Sequence, residues 1–417
     1  MERPDPESLA RGLESLTKAH LRRVRRVVES HPQAHDATQV IVDGRRLLNF
    51  GSNDYLGLSA HPALAEAAIH CLKHEVFGAG ASHLVSGHTR EHHALEEELA
   101  AFTGRERALL FSSGYLANLG VIGALAHRGG CIIADRLCHA SLLDGALLSG
   151  ARLRRYAHGD TRAAERLLHA DADPGDGRGE KLGSHEESCT PSSRRQHTLL
   201  ITDGVFSMDG DVAPLGELCA LAADGATFLL VDDAHGLGVL GAHGRGSLEY
   251  CGVTPAAVPV LIGTLGKAFG SFGAFVAGDA ALIEHVLQHA RSYIYTTALP
   301  PAVAAATRAA LRLMSAEPWR RERVQALTQR WRRAAAAQGL PLADSPTPIQ
   351  PLRVGDSARA LALSEALMRE GFWVSAIRPP TVPLGTARLR VSLSAAHTEA
   401  DVDALAACLG RHWRELA

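Results

Sequence analysis

The sequence predicts an α/β fold: a large domain with a mainly parallel sheet flanked by helices, followed by a smaller C-terminal α/β domain. Three observations carry this. Apolar runs of strand length alternate with helical segments between residues 108 and 277, the pattern of strands buried on both faces. A second, shorter set of such runs follows a helix-rich stretch and fills residues 348–412. The residues able to do chemistry fall at or just past the ends of the apolar runs, where open α/β sheets place their ligands.

At 417 residues the chain is long enough for two domains, and 46% hydrophobic residues support a sizeable core. A formal net charge of −2 argues against a nucleic-acid stripe or an acidic tail. No apolar run reaches the length of a membrane span. Met1 to Ala10, with Glu2, Asp5 and Glu7, does not read as a secretory signal. Seven scattered cysteines with no Cys-x-x-Cys pair favour reduced thiols and a cytoplasmic address.

In chain order, residues 8–29 carry Leu9, Leu13, Leu16, Leu21 and Val24 at helical spacing, with Arg22, Arg23, Arg25 and Arg26 as a charged cluster. Val40 to Phe50 is a predicted hairpin turning on Asp43-Gly44. Together these form an N-terminal arm, residues 1–49. The large domain is set at residues 50–296. Pro62 opens a helix, a glycine-rich loop covers 78–87, and a helix runs from His92 to Phe102. Strands follow at 108–112, 131–135, 197–203, 227–232, 258–262 and 273–277, with helices at 114–126, 140–148 and 215–223. The small domain, residues 297–417, has helices over 300–338, strands at 348–354, 372–377 and 389–393, and helices at 358–370 and 399–412. Asp171 to Gln196 is polar and rich in Gly, Ser, Pro and Arg, and reads as an exposed, mobile inserted loop. His88 and His92 stand four apart but lack a third ligand, so no metal site is expected.

The chemistry centres on Val260-Leu-Ile-Gly-Thr-Leu-Gly-Lys-Ala-Phe-Gly270. A lysine among small residues, just past a buried strand, can meet a flat ring, and partial desolvation favours the neutral amine that Schiff-base chemistry needs. The plain alternative is a surface lysine in a glycine-rich turn. A phosphate-cradling P-loop fails on spacing, because Leu261 and Ala268 stand where Gly and Ser or Thr are required. Asp232 ends a buried strand and needs a cationic partner, such as a protonated pyridine nitrogen. His235 is close enough in sequence to serve the same ring. Thr264 and Ser207 can bond a phosphate, as can the amides of a helix headed by Gly114. Tyr115 and His139 are flat side chains at strand ends. Each residue alone has a bland structural reading. Together, on one sheet edge, they describe a pyridoxal phosphate site.

The sequence also resembles the α-oxoamine synthases, a family of fold-type-I (aminotransferase-like) pyridoxal phosphate enzymes. The resemblance rests on Ser52-Asn-Asp-Tyr-Leu-Gly-Leu58, Gly80-Ala-Ser-His-Leu-Val-Ser-Gly-His88, Asp135-Arg-Leu-Cys-His-Ala-Ser141, Gly204-Val-Phe-Ser-Met-Asp-Gly-Asp211, Val231-Asp-Asp-Ala-His-Gly236, Thr264-Leu-Gly-Lys267 and Ile377-Arg-Pro-Pro-Thr-Val-Pro383. It implies that Lys267 carries the cofactor as a Schiff base, Asp232 pairs with the pyridinium nitrogen, His235 bonds the ring oxygen and His139 stacks on the ring. It implies backbone contacts from Gly114 and Tyr115, with Ser207 and Thr264 nearby. Lys267, His139 and Asp232 are thus the catalytic set, and Arg378, Thr381, His139 and an N-terminal arginine, placed at Arg23 among four, meet substrate. Family members are homodimers with the site between subunits, so Thr296 or Thr297 is expected to reach a partner's phosphate. Members of the family that make 2-amino-3-oxobutyrate, 5-aminolevulinate or 3-ketosphinganine share the cofactor motifs. The 377–383 and 82–88 stretches favour the branch that joins L-alanine to a pimeloyl thioester in biotin synthesis. A glycine-using acyltransferase of the same family, and a cofactor-binding protein without catalysis, are the alternatives. The inserted loop is the one departure from the family pattern.

Overall fold

The computed structural model describes residues 5–30, 38–172, 198–223 and 227–416. The inserted loop expected at 171–196 lies outside them, apart from Asp171 and Ala172 at the end of the helix Thr161–Ala172. The strands along the chain are β1 (Val28–Ser30), β2 (Gln39–Val42), β3 (Arg45–Asn49), β4 (Arg107–Phe111), β5 (Cys131–Asp135), β6 (Arg152–Tyr156), β7 (Thr198–Asp203), β8 (Thr227–Asp232), β9 (Val260–Thr264), β10 (Ala274–Gly278), β11 (Ile349–Gly355), β12 (Phe372–Trp373), β13 (Ser375–Ile377) and β14 (Ala387–Ser392). The chain forms two compact units. One comprises residues 1–61, 207–211 and 319–417, and the other residues 62–206 and 212–318.

The second unit holds a seven-stranded sheet in the order β4-β10-β9-β8-β7-β5-β6. Strands β9, β8, β7, β5 and β6 are mutually parallel, while β10 is antiparallel to both β4 and β9. Alternate strand residues feed two apolar layers, as the period of two requires. On one face Ile132, Leu199, Ile201, Leu230 and Ile262 meet the helices Gly114–Leu125, Ala140–Ser149 and Ala280–His289. On the other, Ile133, Leu200, Leu229, Val231 and Leu261 meet Thr161–Ala172 and Leu215–Ala222. Strand β6 and the helix after it escape the sequence reading. Arg-Leu-Arg-Arg-Tyr has too little apolar character to signal a strand, and it is tolerated because β6 lies on the sheet edge.

The first unit carries two sheets, β1-β2-β3-β12 and β11-β14-β13. The predicted hairpin forms, with Asp43 and Gly44 both at positive φ, +50° and +75°, as a type I′ turn needs. The predicted helix over 8–29 is shorter. It runs Pro6–Lys18, capped by the Asp5 side chain, and stops where His20 takes φ +58° while Leu21 N and Arg22 N both bond Leu16 O. A left-handed stop at histidine rather than glycine leaves no signal in the sequence. Val28–Ser30 then pairs with β2 as a strand. The single strand expected at 372–377 splits, with β12 parallel to β3 and β13 antiparallel to β14.

The sequence-based boundaries, 49/50 and 296/297, differ from the two units in the placement of residues 50–61, 207–211 and 297–318. Phe50 belongs to the core around Trp331, Leu352 and Leu389 in the first unit. The helix Pro301–Ala316 lays Ala302 and Ala305 against Cys71 of the helix Pro62–His74 in the second. No described helix is long and apolar enough to cross a membrane.

Candidate active site

Because β10 is antiparallel to both neighbours, β4 points the same way as β9, β8, β7 and β5, and the carboxyl ends of these five strands share one edge. The expected residues of the second unit follow those ends. After β4, Ser113 caps the helix Gly114–Leu125 by accepting from Leu116 N at 3.3 Å. The first-turn amides of Gly114 and Tyr115 are left without a partner among the described residues, and a Cβ at Gly114 would meet open space. After β5, His139 is itself the N-cap of Ala140–Ser149. Asp232 is the last residue of β8, and Lys267 sits in the short loop joining β9 to β10. That loop is tied by Leu265 N to Gly273 O (2.8 Å), Ser271 N to Leu265 O (2.9 Å) and Gly270 N to Lys267 O (2.9 Å).

The Asp232 carboxylate, 5% exposed, accepts on both oxygens, from Asn118 Nδ2 at 2.7 Å and from Ala234 N at 3.0 Å. Asn118 Nδ2 also donates to Ser141 Oγ at 2.8 Å. Ser141 N donates to His139 Nδ1 at 3.3 Å, so a neutral His139 ring carries its proton on Nε2. Burial pulls His139 down from the usual imidazole range, chiefly over the opposing pull of Asp232. His139 N donates to Asp203 Oδ2 at 2.8 Å, and Asp203 is the register partner of Asp232 across β7 and β8. Burial, then repulsion from Asp232, pushes Asp203 well above the carboxylate range. Lys267 Nζ lies 2.8 Å from His235 Nε2.

This donor set fits pyridoxal phosphate. Asp232 is held by two neutral N–H groups and forms no ion pair with Lys or Arg among the described residues. A buried carboxylate without countercharge is costly, and a protonated pyridine nitrogen would supply it. The open helix terminus at Gly114 suits the phosphate dianion. The Thr264 hydroxyl donates to Gly273 O at 3.2 Å and accepts from Gly266 N at 3.4 Å, so it braces the lysine loop. The Tyr115 hydroxyl bonds Asp144.

The first unit gathers a different group. Arg23 Nη2 donates to Thr381 Oγ1 at 3.2 Å, and Arg378 Nη1 donates to His20 O. Arg26, by contrast, is spent on Asp43 at 2.5 Å. Burial first, then the neighbouring Arg23 charge, pulls Arg378 down, and its Nε is buried without a partner. Two guanidiniums side by side with an unused N–H are matched to an anion. Ser207 is grouped with this unit, its carbonyl accepting from Arg390 Nε at 2.7 Å. Thr297 pairs with Ser82 in an isolated bridge.

Sequence reasoning gave no role to Asn118, Ser141 or Asp203. Asn118 carries a signal in hindsight: it is the single strongly polar residue in the otherwise apolar helix Gly-Tyr-Leu-Ala-Asn-Leu-Gly-Val-Ile-Gly-Ala-Leu. Part of the Ser52–Leu58 motif is architectural, since Asp54 accepts from Leu58 N, Ser59 N and Ser59 Oγ.

Comparison with known proteins agrees with the geometry. Residues 45–409 match the family described as aminotransferase class I and II. An 8-amino-7-oxononanoate synthase from Methylococcus capsulatus is 57% identical over 383 residues, covering 92% of each chain. A serine palmitoyltransferase from S. paucimobilis, solved with a PLP–myriocin aldimine, superposes with a TM-score of 0.87 at 28% identity, covering 99% of both chains. The 8-amino-7-oxononanoate synthase of Francisella tularensis gives 0.71 at 31% identity, covering 88% of this chain and 98% of that one.

Proposed function

Because the chain belongs to the aminotransferase class I and II family, we propose that it is a pyridoxal phosphate-dependent acyltransferase that condenses L-alanine with a pimeloyl thioester in biotin synthesis. The products are 8-amino-7-oxononanoate, carbon dioxide and the free thiol. The single observation that carries the reading is Asp232, buried at the end of β8 and held by the N–H donors of Asn118 and Ala234, on the same sheet edge as the Lys267–His235 pair.

When bound, pyridoxal phosphate supplies an aldehyde for the amino group and an electron-accepting ring. Lys267 Nζ would hold that aldehyde at rest, and its free amine would be the group that takes the proton from the alanine α-carbon and returns one after decarboxylation. Asp232, oriented by Asn118 and Ala234 N, keeps a proton on the ring nitrogen. His235 would bond the ring oxygen and His139 would stack on the ring. The Gly114 and Tyr115 amides would hold the phosphate, with the Thr264 and Ser207 hydroxyls assigned to it by the family resemblance. Arg378, with Arg23 and Thr381, binds a substrate carboxylate. In bond terms the alanine α-carbon loses a proton and joins the acyl carbon while the carbon–sulfur bond breaks. The carboxylate, now β to a ketone, departs as carbon dioxide.

The functional form is a homodimer in the cytoplasm, and Thr296 or Thr297 serves the partner's phosphate. All six described cysteines are unpaired, in keeping with that compartment. The test is a substrate screen of L-alanine, glycine and L-serine against pimeloyl, acetyl and longer acyl thioesters, following released thiol and product mass. Alanine with the pimeloyl thioester should exceed every other pair at least tenfold. A preference for glycine with acetyl-CoA would replace this reading with a glycine C-acetyltransferase.

A further inference from the structure

Around the start of the helix Arg90–Thr103, three potential ligands converge. His88 Nε2 lies 3.4 Å from His93 Nδ1 and 3.9 Å from Glu96 Oε2, and the three ligand atoms all lie within 4.8 Å of one another. We propose that His88, His93 and Glu96 form a divalent transition-metal site, zinc by the chemistry of its donors, independent of the acyltransferase reading.

The geometry is close to what a tetrahedral ion imposes. With metal–ligand bonds of about 2.0–2.1 Å, neighbouring ligand atoms are roughly 3.3–3.4 Å apart. The His88–His93 separation of 3.4 Å already matches, and the His88–Glu96 separation of 3.9 Å is close to it. Each ligand also has an outer partner on its other atom, as built metal sites have. His88 Nδ1 faces His83 Nδ1 at 3.0 Å, His93 Nε2 faces Glu97 Oε1 at 3.5 Å, and Glu96 Oε1 accepts from Leu110 N at 2.9 Å. The remaining atoms, Nε2, Nδ1 and Oε2, are the ones that converge.

The nearby Arg107 is committed to Glu284 at 2.8 Å. A cavity of about 390 Å³ is lined in part by His83, His88, His93, Glu96 and Tyr293. Two imidazoles and one carboxylate suit zinc and its borderline neighbours better than calcium or magnesium. The His88–His92 pair weighed from the sequence is not this site. His92 spends Nδ1 on Thr89 and Nε2 on Leu299 O. An ion here would tie the turn His83–Gly87 to the helix and, through Glu96 and Leu110, to β4.

Cobalt(II) is the probe, added to the cofactor-loaded full chain after tag removal and chelator treatment. The parent should bind with a tetrahedral d–d band that zinc competes away. His93→Ala, at a side chain 66% exposed, should keep the parent melting temperature and cofactor absorbance but weaken cobalt binding at least tenfold, as should Glu96→Gln. The surface pair His285 and His289 controls for adventitious histidines, and its double alanine variant should keep the band. No band in the parent, a band undiminished in His93→Ala, or a band lost with His285 and His289, overturns the site.

Discussion

Asn118 donates from Nδ2 to Asp232 Oδ2 at 2.7 Å, joining the helix that follows β4 to the last residue of β8. The bond fixes which way the carboxylate of Asp232 faces, and it makes Asn118 a positioning residue. Removing it costs a hydrogen bond to a charged group, about 1.5–3 kcal/mol, or roughly tenfold to a hundredfold in rate if it is felt only at the barrier. Asn118→Ala should slow exchange of the alanine α-proton in deuterium oxide by that range with KM for alanine little changed. Parent-rate exchange would show that Asp232 orients itself without help.

Asp232→Asn retains the shape but removes the carboxylate proposed to keep the ring nitrogen protonated. The variant should bind pyridoxal phosphate, seen by absorbance, yet lose nearly all α-proton exchange. Exchange at the parent rate would remove Asp232 from the mechanism.

Lys267 is one of four lysines in the chain, with Lys18, Lys73 and Lys181. Borohydride treatment of the parent should leave a pyridoxyl mass on the Lys267 peptide, and Lys267→Ala should have none. Turnover in that variant should fall far more than cofactor retention. A pyridoxyl mass on any of the other three lysine peptides overturns the assignment.

Arg378→Ala should raise KM for the pimeloyl thioester at least tenfold, with a smaller effect from Arg23→Ala, whose guanidinium is the more exposed of the two. Arg26→Ala should do little, because that side chain is paired with Asp43. Equal effects from Arg23 and Arg26 would mean that general positive charge, rather than the Arg23–Thr381 contact, matters.

Asp233 is enclosed so tightly that a Cβ added at Gly246 would lie 1.9 Å from its Oδ2, and burial pushes its carboxyl up to about 7. Below about pH 4 it is protonated folded or unfolded. Between about 4 and 7 the unfolded chain ionises while the folded one keeps the proton, so this group's contribution to stability falls as pH rises, by at most about 1.4 kcal/mol per unit. Above that window the loss is complete. Urea melts should therefore show Asp233→Asn gaining on the parent from pH 4 to 7 and holding level beyond. A difference that is flat across that range would show the carboxyl to be ionised in the fold throughout.

Periodicity and strand-end placement were enough to locate β5 and β8 and to bring Gly114, His139, Asp232 and Lys267 to one edge. These readings succeed because buried parallel strands are apolar along their whole length, and because direction in the sheet decides where their ends fall. What failed has a common cause. The strand β6 is charged, the helix stop at His20 uses a residue that gives no warning, and Asn118 acts across a distance of 114 positions in the chain. The metal ligands His88, His93 and Glu96 are close in sequence, yet their convergence depends on side-chain directions at the start of one helix, which spacing alone does not encode.

The antiparallel placement of β10 shapes how Lys267 moves. A parallel successor to β9 would need a crossover of a dozen residues or more, and the lysine would ride on a long connection. Here the return is immediate, and Thr264 and Ala274 face each other across the base of the turn. The backbone of Lys267 is therefore ordered as soon as two adjacent strands pair, at little loop-closure entropy. In the cycle proposed above, the amine leaves its bond, takes a proton and comes back. With the main chain pinned on both sides, that journey is confined to the rotamers of one side chain, which interconvert far faster than loops rearrange.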